Sequence, residues 1–135
     1  MRDFFKRVRD AGFEVKTIKR QQERYRDIAT SLGANLSGMP SYRQQTSKVE
    51  SAAVELADLE QRLGDAALEL TGLLAKAQAI IDAMPTRRYR QLLTERYINL
   101  CSWQEVTRRL GYEDDKSVFR ALGEAIREAE NSICR

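Results

Sequence analysis

The 135-residue chain contains no histidine, only two cysteines (Cys101 and Cys134), and no apolar run long enough to span a membrane. The absence of histidine removes the side chain that most often acts as a general base near neutral pH and that commonly binds metals. The two cysteines form no metal-ligand spacing, and free thiols are typical of a reducing compartment. The segment from Met1 to Arg7 lacks the apolar core of a secretory signal. We therefore expect a cytoplasmic protein without a metal or cofactor.

Two further absences argue against catalysis. The chain has no glycine-rich phosphate-binding loop, and its carboxylates are spread along helix-like patterns instead of being grouped. Cys101 precedes a predicted helix N-terminus, a position that lowers the pKa of a thiol, but no candidate base accompanies it. We favour a structural thiol and expect the chain not to be an enzyme.

Charged residues make up 32% of the chain, the net charge is +3, and the two signs are unevenly distributed. Residues 1–48 carry eleven basic and five acidic side chains, residues 49–84 carry two and seven, and residues 85–135 carry ten and eight. Basic ends suit contact with phosphates, although the total is modest for a DNA-binding domain.

Residues 49–84 show the most regular pattern. Apolar side chains follow a 3-4 spacing over about five heptads, which predicts a long helix of the coiled-coil type. Ser47 with Glu50 forms a capping box that would start this helix, and Pro85 would end it. The apolar positions are Val49, Ala52, Leu56, Leu59, Leu63, Ala66, Leu70, Leu73, Ala77, Ile80 and Met84.

The N-terminal segment repeats this spacing. Gly33 ends the pattern, and residues 33–46 have the composition of a loop. Two such helices joined by one loop most simply form an antiparallel hairpin, so residues 1–84 are predicted to be a helical hairpin. The positions of the N-terminal pattern are Phe4, Val8, Ala11, Val15, Ile18, Gln22, Tyr25, Ala29 and Leu32.

A two-helix hairpin leaves one side of its apolar seam open. Ala53, Ala67, Leu74 and Ile81 widen the seam of the long helix on one flank. We expect a second copy of the chain to cover this flank and form a homodimer, although packing against the C-terminal region of the same chain is an open alternative. The residues predicted to serve oligomerisation are Leu56, Leu59, Leu63, Leu70, Leu73, Leu74, Ile80 and Ile81.

Residues 85–135 are predicted to form a separate unit of three helices. The first runs from Thr86 to Ile98. It follows Pro85, which fits the first position of a new helix, and Asn99, which tolerates the left-handed conformation, would end it. A capping box of Ser102 and Glu105 opens the second helix, from Trp103 to Leu110. Gly111 provides the turn, and Asp114 caps the third helix, Asp115 to about Glu130. The shared core is predicted to contain Leu93, Tyr97, Trp103, Val106, Leu110, Val118, Leu122 and Ile126.

Two short helices joined by a tight glycine turn have the layout of a helix-turn-helix, whose second helix enters the major groove of DNA. Val118, Ala121, Leu122 and Ala125 would face the core. Arg120 is the best candidate for base readout, since a guanidinium pairs bidentately with guanine. The predicted DNA-contacting residues are Lys116, Ser117, Phe119, Arg120 and Arg127 on the recognition helix, Ser102, Gln104, Arg108 and Arg109 on the preceding helix, and Arg87, Arg88 and Arg90.

Several of these residues have a plain structural alternative. The arginines from 87 to 90 also fit a solvated helix face, and Arg120 also fits an ion pair with Glu124. Phe119 also fits packing on the long helix, and Trp103 fits a core anchor better than a stacking platform. The acidic residues 113–115 oppose non-specific binding to DNA, although capping accounts for Asp114.

Two signatures together resemble a known family. The first is Arg96-Tyr97-Ile98-Asn99-x-x-Ser102-Trp103-x-Glu105-Val106, followed by Leu110-Gly111-Tyr112 and Val118-x-Arg120-Ala121-Leu122. The second is Gly38-Met39-Pro40 with Ser47-Lys48-Val49-Glu50. This combination resembles small phage and prophage proteins of Gram-positive bacteria with a sigma-factor region-4-like helix-turn-helix, a family similar to phage late-operon activators and autolysin-regulator proteins. Members tend to have a glycine shortly before Ser-Trp, where this chain has Leu100-Cys101.

The resemblance implies a transcription regulator in the cytoplasm of a bacterial host, which acts on double-stranded DNA either by binding operator sites or by contacting host RNA polymerase. It places Lys116, Ser117 and Arg120 on the DNA-facing side of the recognition helix. A small-terminase-like DNA-packaging protein and a helical adaptor that binds only protein are alternative interpretations of the same chain.

Overall fold

The all-α class is confirmed by a computed structural model, which describes residues 1–34 and 42–134, with side chains for 1–31 and 48–134. Five α-helices occupy these residues: α1 (Arg2–Ala34), α2 (Tyr42–Asp82), α3 (Arg87–Leu93), α4 (Trp103–Leu110) and α5 (Asp115–Ile133). One π turn (Thr94–Ile98) follows α3. Across the described ranges, no helix is long and apolar enough to cross a membrane.

The long helix begins earlier than its pattern predicts. α2 starts at Tyr42, so the capping box of Ser47 and Glu50 lies inside the helix and does not start it. The predicted loop 33–46 is correspondingly shorter, because residues 33–34 and 42–46 are helical. The signature Gly38-Met39-Pro40 lies outside the described residues. The end of α2 at Asp82, shortly before Pro85, agrees with the prediction.

Two compact units divide the described chain, one containing residues 1–13 and 69–135 and the other residues 14–68. We call them the C-terminal unit and the hairpin unit. Their limits do not coincide with the predicted division at Pro85, since both α1 and α2 contribute to each unit. Whether α1 and α2 pair as a hairpin along their whole length stays a prediction.

The core of the C-terminal unit draws on distant parts of the sequence. Phe5 and Val8 of α1 are fully buried and belong to the same apolar cluster as Leu122 of α5. Trp103 and Leu110, predicted as core residues, are half-buried and pack against this cluster. The buried members are Phe5, Val8, Ala11, Leu73, Ala77, Ile81, Met84, Leu92, Leu93, Tyr97, Cys101, Val106, Val118, Ala121, Leu122, Ala125, Ile126 and Ala129.

The buried side chains of the hairpin unit lie at the predicted heptad positions. Leu59 is 3% exposed and Ile18 is 2% exposed, and Gln22, the one polar member of the α1 pattern, is also buried. Leu56 and Leu63 are only half-buried. The buried residues of this unit are Val15, Ile18, Gln22, Ala52, Leu59 and Ala66.

The helix predicted from Thr86 to Ile98 is interrupted. Thr86 is the N-cap of α3, so Pro85 precedes the cap and does not occupy the first helical position. After Leu93 the chain widens into the π turn, in which the Asn99 amide donates to the Thr94 carbonyl at 2.9 Å. Asn99 is not left-handed (φ −83°).

The left-handed residue is instead Leu100, with φ +62°. An L-residue with a branched side chain adopts this conformation at a cost of about 1–2 kcal/mol. The Leu100 side chain packs closely on α1, because a Cβ built on Gly12 would lie 3.1 Å from Leu100 Cδ2. Glycine at position 12 thus leaves the room that this strained leucine occupies.

The caps of α4 and α5 are confirmed. Ser102 Oγ accepts a hydrogen bond from the Glu105 amide at 3.2 Å, and Asp114 Oδ1 accepts one from the Ser117 amide at 2.8 Å. Gly111 takes the left-handed conformation (φ +74°) that ends α4. α4 has the predicted limits, and α5 continues to Ile133, beyond the predicted end at Glu130.

The buried position of Phe5 yields a stability prediction. Phe5→Ala leaves a cavity beneath α3–α5, and we expect the free energy of unfolding to fall by about 3–5 kcal/mol. Urea unfolding followed by the fluorescence of Trp103, the only tryptophan, measures this change. Phe13→Ala is the matched control, because Phe13 is 40% exposed and its truncation should cost much less. Equal losses in the two variants would contradict the assignment of Phe5 to this core.

Candidate nucleic-acid interface

The two faces of α5 differ sharply in exposure. Val118, Ala121, Leu122 and Ala125 are buried, as predicted. Lys116 and Arg120 are exposed, and Phe119 is 48% exposed. Ser117 is half-buried, and its amide is bonded to the cap of α5. The predicted base-contacting side chains of the first turns of α5 therefore lie on its outer face.

Phe119 is held by an aromatic contact. Its ring meets the Trp103 ring edge-on, with 5.0 Å between the centroids. The guanidinium of Arg96 lies over the Trp103 ring at 4.0 Å from its centroid. Trp103 therefore packs against two neighbours and is half-buried. Phe119 lies on α4 through this contact, which fixes a half-exposed apolar side chain next to Arg120.

The polar residues of α4 have different surroundings. Ser102, Gln104 and Arg108 are exposed, and Ser102 already caps the helix through Oγ. Arg109 forms a salt bridge with Glu95, with 3.0 Å between Nη1 and Oε2. A phosphate would have to compete with Glu95 for Arg109, whereas Arg108 makes no described contact of this kind.

Arg87, Arg88 and Arg90 also differ in whether their side chains already make contacts within the chain. Arg87 is exposed. Arg88 lies over the Tyr112 ring, 4.3 Å from its centroid. Arg90 donates from Nη1 to the carbonyls of Met84 and Pro85 at 2.6 and 3.0 Å, which ties α3 to the chain that follows α2. Arg90 thus has a structural role, and Arg87 is the most available of the three.

Several acidic side chains on and near α5 already accept hydrogen bonds from other residues of the chain. Hydrogen bonds from Ser117 lower the pKa of Asp114, which keeps this cap ionised. Asp115 accepts a hydrogen bond from Thr107 Oγ1 at 3.3 Å. Glu124, considered as a partner for Arg120, accepts a short hydrogen bond from Tyr89 instead.

Arg127 lies farther along α5 in a more acidic setting. It lines an open cleft of about 290 Å³ together with Tyr89, Glu124 and Glu128. Glu128 accepts hydrogen bonds from the amide and hydroxyl of Thr86. These carboxylates oppose binding of a phosphate at Arg127, so this position is the weakest of the predicted contacts on α5.

Cys101 is a buried free thiol. It is 3% exposed, and its Sγ donates to Glu95 Oε2 at 3.2 Å. Burial, followed by this hydrogen bond, raises the pKa of the thiol to about 11. The position before a helix N-terminus does not lower the pKa, because desolvation and the Glu95 carboxylate outweigh the helix.

Sequence reasoning missed two arginines beside the start of α4. Arg9 of α1 and Arg96 of the π turn both donate to the Cys101 carbonyl, from Nη1 atoms at 3.2 and 3.1 Å. The two residues are separated by 87 positions in the chain, and no local spacing connects them. Only the packing of α1 onto the C-terminal unit brings them together.

The predicted oligomerisation residues fall into two sets. Leu59, Leu73 and Ile81 are buried within one chain, and their assignment to an intermolecular contact stays a prediction. Leu70, Leu74 and Ile80 are half-buried and pack on the core of their own C-terminal unit, which supports the alternative of packing within the chain. Leu56 and Leu63 are the members that remain half-buried in the hairpin unit.

Comparison with protein-family models, with curated proteins and with solved structures finds no match for this chain.

The surroundings of Cys101 and Cys134 predict that the two thiols differ widely in reactivity. At pH 8, a pKa of about 11 leaves about one Cys101 thiol in a thousand ionised, whereas Cys134 is exposed. We expect Ellman's reagent to modify the native protein in one fast and one much slower phase. Cys134→Ser should leave only the slow phase and Cys101→Ser only the fast one. A fast reaction in the Cys134→Ser variant would show that Cys101 is not held as described.

Proposed function

We propose that this chain is a DNA-binding transcriptional regulator of phage or prophage origin, in which α4, the Gly111 turn and α5 act as a helix-turn-helix. The observation that carries the proposal is the outer face of α5. Its first turns present Lys116, Phe119 and Arg120 to solvent, while the opposite face is buried. A helix presented in this way is the usual reader of base edges in the major groove.

The two caps support a rigid presentation of this face. Ser102 and Asp114 fix the starts of α4 and α5, and Gly111 allows the sharp change of direction between them. Side chains on a rigid helix lose less conformational freedom on binding than side chains on a loop. Arg120 would then pair with a guanine, and Phe119 would contact a thymine methyl group.

The backbone around Leu100 supports the resemblance to the phage family. Members of that family tend to have glycine shortly before Ser-Trp, and here Leu100 takes a φ of +62°, which favours glycine. The backbone at Leu100 therefore has the conformation that a glycine of the family pattern would favour, although this chain has a leucine there. This agreement is local and bears on the start of α4.

A dimer is part of the proposal because the electrostatic attraction of one chain for DNA is modest. Arg90 and Arg109 are engaged within the chain, which leaves Arg87, Arg88, Arg108, Lys116 and Arg120 as the principal phosphate or base contacts. Two linked recognition units gain affinity through their effective concentration on paired half-sites. The half-buried Leu56 and Leu63 of the hairpin unit are the apolar surface that we assign to the second copy.

Arg120→Ala tests base readout. A bidentate arginine–guanine contact is worth about 1–3 kcal/mol, so we expect a site selected from phage or random DNA to be bound about 5- to 150-fold more weakly. Binding to random DNA should change little. Electrophoretic mobility shifts at ~50 mM salt, where phosphate contacts are strongest, provide the measurement.

Arg62→Ala is the control for this experiment, because Arg62 is an exposed arginine on α2 in the hairpin unit. It should leave both affinities unchanged. Equal losses by Arg120→Ala on specific and random DNA would reassign Arg120 to a phosphate. A wild-type protein that shifts no DNA under these conditions would refute the proposed function.

Leu63→Asp tests the dimer. A carboxylate at a half-buried apolar position would be desolvated against the second copy, so we expect the dimer dissociation constant to rise by on the order of 100-fold. Light scattering measures the mass, and circular dichroism checks that the helices persist. Val54→Asp makes the same change on α2 at a side chain that is 69% exposed and should leave the dimer intact. If Val54→Asp alone dissociates the protein, the second copy binds a different face.

A further inference from the structure

Two arginine side chains converge on one backbone oxygen at the junction of α1, the π turn and α4. Arg9 Nη1 donates to the Cys101 carbonyl at 3.2 Å and to the Arg96 carbonyl at 2.5 Å. Arg96 Nη1 donates to the same Cys101 carbonyl at 3.1 Å. Both residues belong to the C-terminal unit and are half-buried. We call Arg9 and Arg96 the arginine pair.

The positive charge of the arginine pair is poorly compensated. None of the described salt bridges involves either residue. Glu95, the acidic neighbour of Arg96 in sequence, accepts hydrogen bonds from Arg109, Asn99 and the Cys101 thiol. Asp10 is the acidic group that stabilises the charged form of Arg9. Burial lowers the pKa of both guanidinium groups, and the nearby charge of Arg9 lowers that of Arg96 further.

Aromatic rings hold the orientation of both groups. Arg9 lies over the Phe13 ring at 4.7 Å, and Arg96 lies over the Trp103 ring at 4.0 Å. A guanidinium stacked on a ring keeps its N–H edges directed away from the ring, where they can bind an anion.

We propose that the arginine pair binds the phosphodiester backbone of duplex DNA, as an extension of the surface formed by α4 and α5. Guanidinium groups bind phosphate oxygens through two parallel hydrogen bonds, and an anion between two of them relieves their mutual repulsion. The contact series from Arg96 through Trp103 to Phe119 connects the pair to the outer face of α5. This inference rests on the proposed function, and it adds α1 to the DNA-binding surface.

A purely structural role predicts different behaviour. The same hydrogen bonds attach α1 to the turn before α4, so removing either arginine lowers stability in both cases. The dependence of affinity on salt separates the roles, because each lost phosphate contact reduces the slope of log K against log salt by about 0.9. A structural arginine changes stability without changing that slope.

The experiment compares glutamine and lysine variants on random-sequence duplex DNA over a range of salt concentrations. Arg9→Gln with Arg96→Gln keeps hydrogen-bond donors but removes both charges, and the slope should fall by about 0.9 because the pair shares one phosphate. Arg9→Lys with Arg96→Lys keeps the charges and should retain most of the slope. Arg7→Gln is the matched control on α1, since Arg7 is exposed and pairs with Glu69 at 3.5 Å, and it should leave the slope unchanged.

A wild-type slope in the folded glutamine double variant would overturn the inference and leave the proposed function standing, provided that Lys116→Ala and Arg120→Ala still weaken binding to the selected specific site. Absence of DNA binding by the wild-type protein would instead refute both. If the glutamine variants do not fold, the Nε resonances of Arg9 and Arg96 in the wild-type protein decide the question. They should shift on titration with duplex DNA, and unchanged resonances at saturation would overturn the inference.

Discussion

The burial of Phe5 and Val8 under the C-terminal helices is the interaction on which the remaining structure depends. The segment from α3 to α5 is short, and a domain of that size buries a small fraction of its surface and is marginally stable on its own. The first turns of α1 and the last turns of α2 supply the missing surface, since they contribute Phe5, Val8, Leu73 and Ile81 to the same cluster as Leu122. The candidate DNA-binding surface is thus supported by residues from both ends of the chain.

This dependence also explains the irregular connection between α3 and α4. The π turn and the left-handed Leu100 take the place of the regular helix that the sequence predicted up to Ile98. The strain at Leu100 is offset by packing on Gly12 and by the hydrogen bonds of Arg9 and Arg96 to the Cys101 carbonyl. The start of α4, and with it the position of Trp103 under Phe119, follows from contacts with α1.

The features that could be predicted from the sequence are the local ones. The caps at Ser102 and Asp114 and the turn at Gly111 each depend on residues within a few positions, so their signals are contained in a short segment. The heptad pattern of α2 identified the apolar face but not its partner, because a periodic stripe is the same whether it packs within a chain or between chains. Leu73 and Ile81 were assigned to a second copy for this reason.

Non-local features had no such signal. Arg9 follows α1 periodicity at an unremarkable position, and nothing near it indicates a partner beside Cys101. Leu100 is an apolar residue where left-handed backbone normally requires glycine or asparagine, so propensity pointed to Asn99. The fold class and the outer face of α5 were therefore accessible from the sequence, whereas the electrostatics of the surface required the tertiary contacts.

Those contacts change which charges matter for the proposed function. By composition, every arginine from 87 to 109 contributes equally to an attraction for phosphate. In the structure, Arg109 already pairs with a carboxylate, whereas Arg9 and Arg96, like Arg90, donate to backbone carbonyls and form no described salt bridge. Arg109 must give up an ion pair to bind a phosphate, whereas the arginine pair has no described ion pair to lose. The net charge of +3 therefore describes this surface less well than the arrangement of a few guanidinium groups around α4.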